Sequence, residues 1–244
     1  MRNLIQSLQE LAQMLQNLFD LNKIDPARKY RNIINTFRIP LPYKYMKWGS
    51  IAIITIAFVI TFLSGIQNGQ IIWGIVRNES GGLAWGLLVF TIYVSLACKL
   101  FPKVIALRQL FPLRKYTGIG VFFIVLGHLI AHLLQIKSLS SFREIYAASL
   151  QSGWEITIGT IALIIMVPLL LTSTNSALKA LGSKGWTLLH KLTHIVFILS
   201  AVHIAFIGGE VEGGPLMILL FYGIAYLWLF IQKRKKRLDK KTIL

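Results

Sequence analysis

The chain has 244 residues, 55% of them hydrophobic and 14% charged, with a mean hydropathy of +0.64. Soluble domains carry about 25% charged residues, so a soluble enzyme is excluded as the default. Lys and Arg number 26 against 9 Asp and Glu, a formal charge of +17. The cations stand at the ends of long apolar runs, so the excess reads as membrane topology and no nucleic-acid partner is expected. The one cysteine, Cys98, can form no internal disulfide and cannot build a thiolate zinc or iron–sulfur site, which leaves metal chemistry to histidine.

In chain order, the first 22 residues place Leu4, Leu8, Leu11, Leu15 and Leu18 on one stripe of a helix otherwise filled with Gln, Asn and Ser. Such a stripe suits a membrane surface or a partner helix, and no continuous apolar region follows the start as a signal peptide would need. The Pro-containing stretch from Asp25 to Tyr45 reads as a connector, so residues 1–46 form a cytoplasmic N-terminal unit. Six runs then have the length and apolarity of a membrane span, about 20 residues: Trp48 to Ile66, Leu83 to Phe101, Tyr116 to Ile136, Trp154 to Leu171, Trp186 to Ile207 and Pro215 to Ile231. They make residues 47–232 a six-helix membrane domain, with 233–244 as a basic tail.

Lys and Arg crowd the N-terminal stretch, the tail, the connection from Lys99 to Lys115 and the one holding Lys179 and Lys184. The other connections carry only Arg77, then Lys137 and Arg143, and then Glu210 and Glu212 with no cation. The positive-inside rule therefore expects a multi-pass inner-membrane protein with both termini cytoplasmic.

All five histidines fall inside runs: His128 and His132 in the third, His190, His194 and His203 in the fifth. Ionisable side chains in a bilayer are costly and face a bundle interior or a polar cavity, which makes each a functional-site candidate. Imidazole is a usual axial ligand of heme iron, and bundles build cofactor sites between facing helices. The third and fifth runs share a direction, so depths compare directly. At about 1.5 Å per residue, His128 and His132 lie roughly 18 and 24 Å beyond Tyr116, and His190, His194 and His203 roughly 6, 12 and 25 Å beyond Trp186.

His203 is thus level with either histidine of the third run, and the arithmetic does not choose between them. His190 and His203 are far enough apart in depth for two stacked cofactors. Thirteen steps of about 100° nevertheless leave their rings off a common face, which requires a local distortion or approach from different sides. His194 shares a face with His190. At that depth the third run offers Gly118 and Gly120, which leave room for a flat macrocycle and supply no ligand.

Leu171-Thr172-Ser173-Thr174, Leu181-Gly182, Trp186 and Leu189-His190, with His203 thirteen residues on, resemble the ferric reductase-like transmembrane domain. Arg114-Lys115-Tyr116-Thr117-Gly118 followed by His128 resembles that family's third-helix start. The nearest branch is the heme-binding subunit of the periplasmic methionine sulfoxide reductase system (MsrQ), and the similarity runs from about Leu83 to Arg237. The resemblance implies an all-α integral membrane protein, a six-transmembrane-helix bundle with b-type heme between helices three and five. It implies outer heme ligands at His128 and His203 and an inner one at His190, with one heme or two. His132 and His194 stand where bacterial relatives often have Tyr. Arg114 stands where the eukaryotic oxidases of the superfamily place an inner ligand, which bears on the inner heme and not the outer one.

The function expected is electron transfer from a separate flavin reductase or a quinone to a protein or small-molecule acceptor on the outer side, as the membrane subunit of an oxidoreductase. The rival reading is a histidine-based proton channel or transporter. It is weakened by the lack of carboxylates in the interiors of the runs and of related halves. Among the remaining features, Arg108, Arg114, Lys115, Lys184 and Lys191 read first as topology-setting charges, with propionate pairing as the alternative. Glu155 reads as a helix N-terminal charge, Pro168 as a kink, Gly208 to Gly214 as a solvated turn and Cys98 as filler.

Overall fold

The computed structural model describes residues 42–136, 153–207 and 212–242, the side chains of 235–242 excepted. The leucine stripe of residues 4–18 and the cations Lys137 and Arg143 lie outside them. Eight helices are described: α1 (Tyr43–Ser64), α2 (Trp73–Leu100), α3 (Ile105–Leu110), α4 (Arg114–Ile136), α5 (Trp154–Leu171), α6 (Asn175–His190), α7 (Leu192–Phe206) and α8 (Gly213–Thr242). They form six membrane-length apolar spans, with α3 running into α4 through a 3₁₀ turn at Phe111–Leu113 and α6 into α7 across Lys191.

Three boundaries differ from the hydropathy reading. α1 starts at Tyr43, so the end of the expected connector is helical. α2 starts ten residues before Leu83, because Val76, Ser80, Ala84 and Leu88 recur every four residues as a buried stripe. Asn78 and Glu79, on its exposed side, had masked it. α8 continues past its apolar span, which ends at Arg234, through most of the basic tail as one helix; 30 residues at about 1.5 Å each exceed the roughly 30 Å hydrocarbon core.

Between α1 and α2 a two-residue hairpin pairs Ile66 with Ile71 and Gln67 with Gln70. Its turn is Asn68-Gly69, both at positive φ (50° and 74°), the pair that suits the strand twist. α6 is broken at Gly182, whose φ of 68° and ψ of 164° are not helical. The fifth span, Asn175–Phe206, therefore carries a kink four residues before the expected start at Trp186.

The core sits where α2, α4, α5, α7 and α8 meet, around Leu88, Ile92, Val121, Met166, Val196, Phe197 and Tyr222. Trp85 lies flat on the fully buried Phe197, 5.3 Å between centroids at 8°. α1 buries no residue and packs mainly on α2 and α4. It seats Ile54 over Gly120 and Phe58 over Gly127, where added Cβ atoms would stand 2.9 Å away, the small-residue contact by which membrane helices approach.

Candidate functional site

The histidines divide between two cavities stacked along the bundle. The larger, about 540 Å³, holds His128, His132 and His203 and lies toward the end carrying the hairpin. The smaller, about 250 Å³, holds His190 and His194 and lies toward the end carrying α3 and the start of α4. Leu88, Val121 and Met166 line both cavities and form the partition. We refer to them as the outer and inner cavities.

In the outer cavity His128 and His203 are held in the same way. His128 Nδ1 lies 2.8 Å from Arg77 O, and His203 Nδ1 lies 2.8 Å from Glu155 O. A carbonyl only accepts, so each neutral imidazole carries its proton on Nδ1 and leaves Nε2 with a bare lone pair. Neither Nε2 has a hydrogen-bond partner among the described residues. The walls between are apolar, with Trp85, Val125, Ala162 and Ile204 beside the partition residues. His132, one turn beyond His128, also lines this cavity, and its Nε2 is buried with no hydrogen-bond partner among the described residues.

Sequence arithmetic left His128 and His132 equivalent, and the difference between them is this backbone anchor. It rests on Arg77, read as part of a connection and found in the first turns of α2, and on the carbonyl of Glu155. The Glu155 side chain does behave as a first-turn carboxylate, folded back over Gly153 at the start of α5.

The outer residues fit a heme. Among the described residues no three His, Cys, Asp or Glu side chains converge as a metal site. Two imidazoles can therefore complete an iron already held by a macrocycle but cannot build a site alone. The cavity supplies those two imidazoles with free Nε2 atoms, apolar walls, and glycines where the rings approach the helices.

The inner cavity is built differently. The His190 ring stacks on Trp186, and its Nε2 stands 3.3 Å from Thr172 Oγ1. His194 has Nδ1 3.0 Å from Tyr222 Oη and Nε2 3.3 Å from Tyr226 Oη. α4 contributes Arg114, Lys115, Gly118 and Ile119 to the lining and no imidazole. The Arg114 guanidinium donates from Nη1 to Ser95 Oγ and lies 3.9 Å over the Phe111 ring, with Nε buried and without a partner among the described residues. Arg114 and Lys115 are thus cavity groups as well as topological charges, whereas Arg108, Lys184 and Lys191 line neither cavity. Gly118 opens to the inner cavity as expected, but Gly120 faces Ile54 of α1 and leaves no such room. Two residues turn a helix by about 200°, which puts the pair on opposite faces.

Of the two alternatives for His190 and His203, a local distortion or approach from different sides, the helix shows a local tightening at Lys191. There the backbone bonds span three residues, Lys191 N to Leu188 O at 3.2 Å and His194 N to Lys191 O at 3.0 Å. Each residue in such a turn advances about 120° instead of about 100°, which brings His190 nearer the face of His203. Cys98, read as filler, donates from Sγ to Leu107 O at 3.2 Å and ties α2 to α3.

Residues 80–201 match the family described as ferric reductase like transmembrane component. The chain is 27% identical over 185 residues to the protein-methionine-sulfoxide reductase heme-binding subunit MsrQ of Azospira oryzae, covering 72% of this chain and 77% of the relative. It is 33% identical over 121 residues to the MsrQ of Rhodospirillum rubrum, 49% of this chain and 55% of the relative. It is also 27% identical over 178 residues to the magnetosome protein MamZ of Magnetospirillum gryphiswaldense, 68% of this chain but 26% of that longer protein.

Proposed function

From membership of the ferric reductase-like transmembrane family, to which this chain belongs, we propose that it is the electron-transferring membrane subunit of an oxidoreductase, holding one heme b in the outer cavity between His128 and His203. The observation that carries this reading is the pair of imidazoles flanking one apolar cavity, each anchored through Nδ1 to a backbone carbonyl. Heme bound there supplies a one-electron couple in a low-dielectric surround. The chain's own residues do the rest. His128 and His203 offer Nε2 in a fixed orientation, Trp85, Leu88 and Val121 supply apolar wall, and Leu88, Val121 and Met166 separate the two cavities.

Electrons come from the cytoplasmic side, and the basic connections support that side for the inner cavity. The donor is a separate flavin reductase or a quinone, and the acceptor is a protein or small molecule on the outer side. The relative from Azospira oryzae, of which this chain covers 77%, is named as the heme-binding subunit of a methionine sulfoxide reductase, which supports a partner oxidoreductase. Both termini are cytoplasmic, in an inner-membrane setting, with residues 1–46 as a cytoplasmic unit. The inner histidines have nitrogens within reach of Thr172 and of two tyrosines, which favours one heme over two.

Purification in mild detergent, with oxidised and dithionite-reduced spectra and a heme assay, tests the reading. A b-type spectrum with about one heme per chain is expected, and its loss in both His128→Ala and His203→Ala. A folded wild-type protein without heme contradicts it and turns attention to proton transport through the histidines.

A further inference from the structure

The two outer half-sites repeat one another in a way that neither the histidines nor the helix count requires. In an α-helix the carbonyl of residue i accepts from the N–H of residue i+4. The residue four beyond Arg77 is Gly81, and the residue four beyond Glu155 is Gly159. A Cβ added at Gly81 would stand 3.0 Å from both Cε1 and Nδ1 of His128. A Cβ added at Gly159 would stand 3.0 Å from the same two atoms of His203. On each side, then, the imidazole lies over the spot where a side chain would be, and its Nδ1 reaches the carbonyl that the glycine's own N–H shares. The His128 half pairs α4 with α2 and the His203 half pairs α7 with α5, so the same device occurs twice on four different helices.

We propose that Gly81 and Gly159 are positioning residues that set the tautomer and basicity of the two iron ligands, by admitting each imidazole to a backbone carbonyl one turn earlier. The inference rests on the reading of His128 and His203 as heme ligands. A carbonyl at Nδ1–H gives the ring partial imidazolate character, which strengthens Nε2 as a ligand and favours the oxidised iron. An alanine at either glycine stands inside normal contact distance of the ring, so the ring shifts and the 2.8 Å bond lengthens. The side chains of Arg77 and Glu155 take no part, because the acceptors are main-chain atoms.

The test compares Gly81→Ala and Gly159→Ala with Gly86→Ala, a glycine of the same α2 helix with open space at its Cβ and no place in either cavity. All three gain the same helix propensity. The first two are expected to lose heme affinity by about 10–100-fold, the range for loss of a hydrogen bond behind a metal ligand. They should also show a raised midpoint potential and a high-spin component in the electron paramagnetic resonance spectrum, while Gly86→Ala matches the wild type. Equal potentials, spin states and affinities in all three variants overturn the proposal. Imidazole ¹⁵N shifts of heme-depleted wild-type protein provide a measurement that needs neither a variant nor bound heme. Protonation of His128 and His203 at Nδ1 is expected there, and protonation at Nε2 overturns the proposal. Wild-type protein that binds no heme when reconstituted removes the ligand reading alone, since the tautomers are still read directly.

Discussion

Trp186 lies almost flat on His190, with ring centroids 4.0 Å apart and planes at 27°. The same indole donates from Nε1 to Thr172 O at 2.9 Å, and the Thr172 hydroxyl faces His190 Nε2. One aromatic residue thereby ties the start of the fifth span to the end of the fourth and fixes the inner imidazole from its face.

Replacing Trp186 with Leu removes that stack and that hydrogen bond. Aromatic pairs contribute about 0.5–1.5 kcal/mol and a net hydrogen bond about 0.5–1.5 kcal/mol, so thermal unfolding in detergent should show a loss of about 1–3 kcal/mol. Heme content should stay at the wild-type level, because the outer cavity does not include Trp186. Loss of heme in this variant would contradict the assignment of heme to the outer cavity alone.

Lys99 Nζ donates to Tyr226 Oη at 2.8 Å, and His194 sits between two hydroxyls, with Nδ1 3.0 Å from Tyr222 Oη and Nε2 3.3 Å from Tyr226 Oη. Tyr222→Phe leaves His194 Nδ1 without that partner and should cost about 1–3 kcal/mol. Adding His194→Phe to Tyr222→Phe should recover part of the loss, since replacing both partners by apolar rings removes the unpaired group. A double-mutant cycle by thermal unfolding measures this, and strict additivity would show that the network is not coupled.

His132→Leu removes a buried nitrogen that has no partner among the described residues. The variant should keep full heme content and equal or greater stability, in contrast to His128→Ala, because of the two only His128 is anchored to a backbone carbonyl among the described residues. A heme assay on the two variants side by side separates these neighbours, which lie one turn apart on α4.

Glu155→Gln alters a side chain in the first turn of α5 but not the carbonyl that His203 uses. Stability should fall by about 0.3–1 kcal/mol from the weakened helix-end interaction. The midpoint potential should not move, and a shift would show that the carboxylate itself acts on the ligand.

The helix count and the sorting of histidines by depth were legible in the sequence, because both follow from apolar length and a fixed rise per residue. Arg77 and Gly81 were not, since the start of α2 mixes Asn78 and Glu79 with three glycines and hides its buried stripe of Val76, Ser80 and Ala84 from any hydropathy average. Arg114 read as a charge that orients the chain, and its place in the inner cavity depends on Ser95 of α2 and Phe111 of the preceding turn, contacts that only tertiary packing brings together. The choice between His128 and His132 depended likewise on a carbonyl 51 positions away in sequence. A glycine near the start of each helix that precedes a histidine-bearing one was the available signal for both anchors.

The most direct measurement places the heme-loaded protein in liposomes with ferricyanide trapped inside and a membrane-impermeant reductant outside. Reduction of the trapped ferricyanide, abolished by His203→Ala, is the result expected of a transmembrane electron carrier. Reduction no faster than in His203→Ala or protein-free vesicles would contradict it.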